Sequence, residues 1–276
     1  MRSYRMSTRR KLAIATWSAP REGNIYGKIT VNVTNTLRYI QFLKEKNGEK
    51  VTITHIVGNA IGKALKSAID INGRILFGKY IPHDSADVSF LVALNDGNDL
   101  GKVKVSNIDQ KTTIEISREL KAEAERVRHG KDEQFEKSKP LLRLFPTWMI
   151  RPILWGTGFI TGALGWNLKL LGIEKYPFGA CIVTSVGMLG IDEGYAPPTP
   201  FARVPIYIAV MSIKDRVAAQ DGQVVIRPEV DLMVTIDHRF MDGYQGAKLA
   251  HVIRKMVENP WTLDGHQEGS STPFDT

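Results

Sequence analysis

The chain has 276 residues, 43% hydrophobic and 24% charged, with a formal net charge of +8. That make-up fits a folded protein with a substantial core, and no run reaches the roughly 20 apolar residues of a membrane span. The basic balance suits an anionic small molecule or membrane surface; with no paired Cys/His ligands or aromatic RNA-binding stretch, nucleic acid is set aside.

Residues 1–23 read as a basic N-terminal arm, with Arg9 and Arg10 in it. The apolar part of this arm is too short and broken for a signal peptide. "YGKITVNVTN" alternates Ile29, Val31 and Val33 against polar residues, a strand pattern. Thr34 or Asn35 is placed to cap the helix "TLRYIQFLKEKNG", with Leu37, Ile40, Phe42 and Leu43 on its apolar face and Gly48 past its end. "TITHIVGNAIGKALKSAID" predicts a second, largely buried helix. "ADVSFLVAL" and "GKVKVSNI" predict strands on either side of the turn "NDGND". A long charged helix follows from Lys111 to Lys137, its charges forming a solvated face.

From Pro140 to Pro177 the composition changes. The segment holds Trp148, Trp155 and Trp166, and the 17 residues from Pro152 to Leu168 carry no charge. Gly156, Gly158, Gly162 and Gly165 weaken it as a lone helix. An apolar helical pair packed on the domain or at a subunit contact is one reading. An interfacial membrane element and the wall of a pocket for a lipophilic substrate are two others.

Beyond it the pattern is β-rich. "FGACIVTSVG" is a strand entering a glycine turn. "GYAPPTPFARVP" is a loop, "IYIAVMSIKDRV" a strand, "QDGQ" a turn, and "VVIRPEVDLMVTI" one or two strands. "GAKLAHVIRKMVENP" is a helix with Leu249, Val252, Ile253, Met256 and Val257 inward, stopped at Pro260; a polar, mobile tail begins at Leu263. No linker divides the chain, so one domain spans residues 24–262, with a tail over 263–276. The sole cysteine, Cys181, rules out an internal disulfide and suits a reducing compartment, the cytoplasm; in its apolar strand it reads as a packed thiol.

Some apparent motifs carry no chemistry. "GNAIGKA" has one residue too few for a phosphate loop, has Ala64 where magnesium needs a hydroxyl, and lies within a helix pattern. "GTGFITG" lacks the strand–turn–helix setting of a dinucleotide site. The histidines show no metal-ligand spacing, so no metal is expected. His55, His83, His129, His251 and His266 read as packing or surface residues.

His238 differs. In "TIDHRFMDGYQG" it ends an alternating strand, a rigid base from which a ring can project into a cleft. Imidazole titrates near neutral pH and is the commonest general base. Asp242 follows four residues on, placed to brace the loop by pairing with a basic residue, and Gly243 closes the turn.

"DHRFMDG" resembles the active-site motif of the acyltransferase catalytic domain of 2-oxo-acid dehydrogenase complexes, a family sharing the chloramphenicol acetyltransferase fold. "FGACIVTSVGMLGIDEGYAPP" is similar to that family's "TISNLG" stretch and the loop after it. "IAVMSIKDRVAAQDGQVVIRPEVDLMVTIDHR" follows the family's order of strand, turn, strand, motif. The resemblance covers most of residues 5–260. It implies an α/β fold of two layers, a mixed β-sheet with helices packed on it. It implies a transferase that moves an acyl group between coenzyme A and a thiol or hydroxyl acceptor. His238 takes the thiol proton, with Arg239 and Gly243 as structural support. The oxyanion donor aligns with Thr184, with Ser185 as its neighbour and fallback, since only one of two successive strand residues can face the site. Asp242 pairs with Arg9 or Arg10. Trimers or larger assemblies with sites between subunits are expected.

Three departures stand out. The resemblance begins almost at residue 1, so the expected form is free of a lipoyl domain and takes its acyl group from free acyl-CoA or from a lipoyl group on a separate protein. The family's "GL-x-VPV" reads "DLGKVKV", with Leu100 kept but Asp99 for glycine and Val103 for proline. The segment 140–177 looks like an insertion just ahead of the Thr184 strand, placed to favour a longer or more lipophilic acyl group than acetyl, or to touch a membrane surface. A non-catalytic trimeric scaffold and a membrane-peripheral binding module are the competing readings.

Overall fold

The computed structural model describes residues 23–68, 70–94, 99–128 and 145–266. Its strands are β1 (Asn24–Asn32), β2 (Gly73–Leu76), β3 (Lys79–Pro82), β4 (Val88–Leu94), β5 (Asp99–Val105), β6 (Cys181–Ser185), β7 (Ile206–Val210), β8 (Lys214–Gln220) and β9 (Gln223–Asp237). All but β2 and β3 form one mixed sheet in the order β1-β9-β7-β6-β4-β5, with β8 paired to β9. The central β4, β6 and β7 run parallel, while β5 and β9 flank them antiparallel. A parallel strand buried on both faces needs no polar alternation, and "IYIAV" of β7 is buried at every position.

Among the described residues the α-helices are α1 (Thr34–Asn47), α2 (Ile53–Ser67), α3 (Thr113–Arg128), α4 (Thr147–Gly158) and α5 (Gly243–Glu258). One sheet face carries Val88, Phe90, Cys181, Val183, Ile206, Ile208, Leu232 and Val234 into a single core with Ile56 and Ile61 of α2, Ile116 of α3, and Leu249 and Ile253 of α5. The period of two along each strand sends Ile182, Tyr207, Ala209, Met211 and Met233 to the opposite, outer face. This is the two-layer α/β architecture expected from the sequence.

Close approach explains the glycines of "GNAIGKA". A Cβ on Gly58 would stand 2.3 Å from the Phe90 ring, and one on Gly62 would stand 2.3 Å from Ile108 Cγ2. They seat α2 on the sheet and on the turn beside it rather than cradling a phosphate.

Several expectations need correction. Helix α1 starts at Thr34 without a side-chain cap of its own. Asn32 takes that role, its Oδ1 accepting from Thr34 N at 3.0 Å and Thr34 Oγ1 at 2.7 Å. Leu43 is buried as expected, but Leu37 is exposed, and α1 buries Thr36 and Tyr39 in its place. Gly48 ends the helix at φ 68°, as its position suggested. "IYIAVMSIKDRV" divides into β7 and β8, which follow one another along β9. "VVIRPEVDLMVTI" lies within a single 15-residue strand, Pro228 included.

The hairpin β2–β3 was not expected. The apolar segment is not a helical pair: α4 passes into a π-helical turn over Phe159–Ala163 and then irregular chain. The core runs beyond residue 262: Leu263 is only 5% exposed. Asp264 accepts hydrogen bonds from Thr113 N, Asn59 Nδ2 and Tyr39 Oη. Its side chain ties the expected tail to three helices.

Candidate active site

His238 stands directly after β9. Its N–H donates to Gly23 O at 3.2 Å, and Asp237 N–H donates to Pro205 O at 2.9 Å, so the chain is fixed on both sides just before it turns. Asp237 then grips Arg239: its carboxylate accepts from Arg239 Nη2 at 2.6 Å, from Nε at 3.0 Å and from the Arg239 backbone N–H at 3.0 Å. The two flanking side chains are locked to each other, and the imidazole between them projects outward. Met241 sinks into the core two residues before α5 and closes the turn. Arg239 is thus tied to the strand end through Asp237.

The His238 ring is exposed, and its Nδ1 lies 3.0 Å from Met241 O. A carbonyl oxygen can only accept, so Nδ1 carries the proton in this bond. The neutral ring then presents Nε2 as a lone pair. This is the tautomer a general base requires, selected by a backbone contact within the motif itself.

Asp242 acts on the helix. It is the N-cap of α5: Oδ1 accepts from Tyr244 N at 3.0 Å and Gln245 N at 3.1 Å, while Gln245 Oε1 accepts from Asp242 N at 3.0 Å. Gln245 Nε2 reaches on to Asp70 Oδ2 at 2.9 Å. Arg9 and Arg10, the expected partners of Asp242, lie outside the described residues, as does His129. Gly243 is the first residue of α5 rather than a turn glycine; its φ is not positive and a Cβ there would meet nothing. Asp242 and Gln245 stand at the Asp-x-x-Gln spacing of a capping box, the sequence signal for this helix start.

A cleft of about 210 Å³ opens between β1, β9 and α5, with Ile25, Ile29, Val234, Ile236 and Ile253 among its lining. Asp242 and Gly243 also line it, and His238 does not.

Thr184 and Ser185 end β6. Cys181 and Val183 point to the helix side and Ile182 to the outer face. Alternation puts Thr184 with Ile182 on the outer face, where it is 8% exposed, and Ser185 on the other side, exposed at the strand end. Thr184 is level with Ala209 on β7 and Met233 on β9, and His238 lies five residues further along β9. At about 3.3 Å per residue and about 4.8 Å per strand, His238 and Thr184 are on the order of 19 Å apart within one chain. They occupy opposite ends of the sheet, and this chain alone does not bring them together.

The Thr184 end holds a charged network that sequence reasoning missed. Asp231 is fully buried on the outer face of β9. It accepts from Arg216 Nη2 at 2.6 Å, Arg216 Nη1 at 3.0 Å and Thr30 Oγ1 at 2.8 Å, with Lys28 Nζ at 3.2 Å. Burial by itself would raise the Asp231 carboxyl, but the Arg216, Thr30 and Lys28 bonds outweigh it and hold the group below the usual carboxylate range. Lys28 also bonds Glu193, and Lys214 bonds Asp192, so the network anchors the loop after β6. Burial pushes the Cys181 thiol far up, which suits a packing residue. Among the described residues no cluster of three His, Cys, Asp or Glu is placed to hold a metal ion.

The model of the family "2-oxoacid dehydrogenases acyltransferase (catalytic domain)" matches residues 1–138 and 169–264. The dihydrolipoyllysine-residue succinyltransferase component of the 2-oxoglutarate dehydrogenase complex of Haemophilus influenzae is 25% identical over 234 residues, 81% of this chain and 46% of that protein. The acetyltransferase component of the pyruvate dehydrogenase complex of Rhizobium meliloti is 26% identical over 220 residues, 78% of this chain and 39% of that protein. The chain thus spans less than half the length of these curated relatives. Among solved structures, a probable dihydrolipoamide acetyltransferase of Listeria monocytogenes superposes with a TM-score of 0.66 at 22% identity, covering 91% of this chain and 88% of that one. The dihydrolipoamide acetyltransferase of Azotobacter vinelandii gives 0.63 at 18% identity, covering 88% and 84%; there a serine, a histidine and an asparagine four residues after it were investigated for roles in catalysis. The cubic core of a pyruvate dehydrogenase complex gives 0.62 at 18% identity, covering 87% and 83%.

Proposed function

Because the chain belongs to the family of 2-oxoacid dehydrogenase acyltransferase catalytic domains, we propose that it transfers an acyl group between coenzyme A and a dihydrolipoyl or other thiol or hydroxyl acceptor. The observation that carries the reading is the His238 ring, exposed on a rigid strand end with Nδ1 committed to Met241 O and Nε2 left to accept a proton. Nε2 takes the proton of the attacking thiol. The sulfur forms a bond to the thioester carbonyl carbon, and the carbonyl π pair moves onto oxygen. Collapse of this tetrahedral species expels the other sulfur, which recovers the proton from the imidazolium. Atoms and charge balance with no further reactant.

The alkoxide needs a donor, and Thr184 Oγ1 on the outer face is our assignment, with Ser185 the alternative. Separation of about 19 Å within the chain requires that His238 of one subunit meet Thr184 of another. The trimer is the assembly we propose, alone or built into a larger particle. An apolar ribbon face of Val217, Val224 and Ile226, exposed on β8 and β9, supports such a contact. Asp242 stands at the spacing from His238 that the investigated asparagine holds in the Azotobacter relative, and its part here is to fix α5 and hence the turn that carries the ring. The inward face of the apolar segment packs on the same outer sheet face as Thr184, with Gly158 against Phe201 O, and we assign a preference for acyl groups longer than acetyl to this inward face, not to the exposed Trp148 and Trp155.

The test is acyl transfer from a chain-length series of acyl-CoA donors to free dihydrolipoamide, with the acylated product read by mass spectrometry. Wild-type protein turns over, and His238→Ala loses about 100-fold or more, the usual share of a general base. Equal rates from both proteins would reject the mechanism. Acetyl-CoA as the best donor would reject the chain-length reading alone.

A further inference from the structure

Helix α4 carries a single charged residue, Arg151, and is otherwise apolar or small apart from two threonines. Its inner stripe, Ile150, Leu154, Thr157 and Gly158, packs inward: a Cβ on Gly158 would stand 2.1 Å from Phe201 O, and the helix continues into Thr161 and Gly162 against Arg203. Its outer stripe is Trp148, Pro152, Ile153, Trp155 and Gly156, and every one of these residues is exposed. A helix in water normally turns charged residues outward, and one apolar all round is covered by protein or by lipid. Trp148 is 74% exposed, and Trp166, beyond the π-helical turn, 64%.

A second element extends the patch. The tip of β2–β3 is Phe77, 80% exposed, and its ring packs edge-on to Phe159 at 6.0 Å. Arg74 Nε donates to Ala163 O at 3.0 Å and ties the hairpin to the segment. The surroundings are basic. No Asp or Glu occurs from Lys137 to Ile173, while Arg151 sits within α4, Lys169 follows Trp166, and Lys79 follows Phe77. Finally, the family model passes over residues 139–168, so α4 lies outside the part of the chain that the family shares, and a feature common to the family does not account for its uncovered tryptophan face.

We propose that the outer stripe of α4, Trp166 and Phe77 form a docking surface for an anionic lipid bilayer, with the protein lying on the membrane. Tryptophan at the headgroup level and lysine or arginine against anionic headgroups are the chemistry such a surface uses. Spanning is excluded for α4: with the π-helical turn it runs about 26 Å at 1.5 Å per residue, short of a bilayer core, and no helix among the described residues is long and apolar enough to cross. The docked state would bring the acyl-transfer machinery to acyl groups dissolved in lipid.

The experiment is flotation of the full-length protein with vesicles of phosphatidylcholine, alone or mixed with phosphatidylglycerol. Wild-type protein floats with the mixed vesicles, more weakly with the neutral ones, and less at high salt. Trp148→Ser/Trp155→Ser reduces the bound fraction at least tenfold, and Arg151→Gln alone reduces it about fivefold. The exposed positions leave the fold intact, checked by circular dichroism and by unchanged transfer from a water-soluble acyl-CoA. Wild-type protein that stays with the pellet, or a double variant that floats as well as wild type, overturns the proposal. A double variant whose mass by light scattering falls below that of wild type, without vesicle binding by either, assigns the face to a second copy of this chain and overturns it equally. Loss of flotation with transfer retained separates this surface from the catalytic reading.

Discussion

At the scale of residues, the imidazole at 238 is set by short-range contacts. Asp237 and Arg239 pair across it, Met241 supplies the carbonyl that fixes its tautomer, and Gly23 holds its backbone. Each lies next to it in sequence or on the paired edge of β1. Thr184 and Ser185 are distinguished by parity. Under the proposed mechanism Thr184→Val, close to isosteric, lowers kcat about 100- to 1000-fold with little change in KM, whereas Ser185→Ala changes both little. Steady-state kinetics of the two variants decide between them, and the reverse ranking would move the donor to Ser185. His238 stands out in the sequence because a histidine at a strand end is conspicuous, whereas Thr184 and Ser185 are singled out only by the resemblance of "IVTSVG" to the family's "TISNLG" stretch. The cap made by Asp242 and Gln245 was equally legible by spacing. Asp followed three residues later by Gln, ahead of an apolar-periodic run, is a helix-start signature; the expected pairing of Asp242 with Arg9 or Arg10 lies outside the described residues.

At the scale of elements, local pattern carried most strands and helices, and it failed where tertiary contacts set the outcome. The hairpin β2–β3 has too few alternating residues to register, yet Arg74 and Phe77 fasten it to the apolar segment. Leu37 reads as an inward residue by periodicity, but the rotation of α1 is set by Tyr39, whose ring packs on Trp261 and whose hydroxyl bonds Asp264. Helix α2 offers a test. Thr52 N–H donates to His55 Nδ1 at 3.1 Å, so this histidine must keep a lone pair there. Burial pushes His55 down to about 4 from 6.5. Burial, followed by the neighbouring Arg74, pushes His83 down to about 4 as well. The unfolded chain takes up these protons first. Their stabilisation is therefore full above about pH 6.5 and is lost as pH falls from there toward 4. The slope approaches about 1.4 kcal/mol per pH unit for each histidine. Urea unfolding across this window should be flatter by about one proton in His55→Asn, which keeps an acceptor for Thr52 but does not titrate; a slope unchanged from wild type would refute the assignment.

At the scale of the whole molecule, the proposed site is divided between the two ends of one sheet. Sites shared between subunits can be rebuilt from two inactive chains. His238→Ala and Thr184→Val proteins, each nearly inactive, should regain activity when co-expressed, with about one site in four intact on random mixing into trimers. Mixed protein no more active than the separate variants would show that each chain builds its own site. The amino-acid order alone determined most strands and helices, the strand-end position of His238 and the place of the apolar segment, because each is written in neighbours two to four residues apart; the two-layer class and the strand hydroxyls came from the resemblance to the family. Only the tertiary structure decided that His238 and Thr184 lie at opposite ends of the sheet, that Asp231 is clamped by Arg216, Thr30 and Lys28, and that α4 shows tryptophan to the outside. These depend on strand order and on which face of the sheet each residue meets, and contacts between residues far apart in the chain set both.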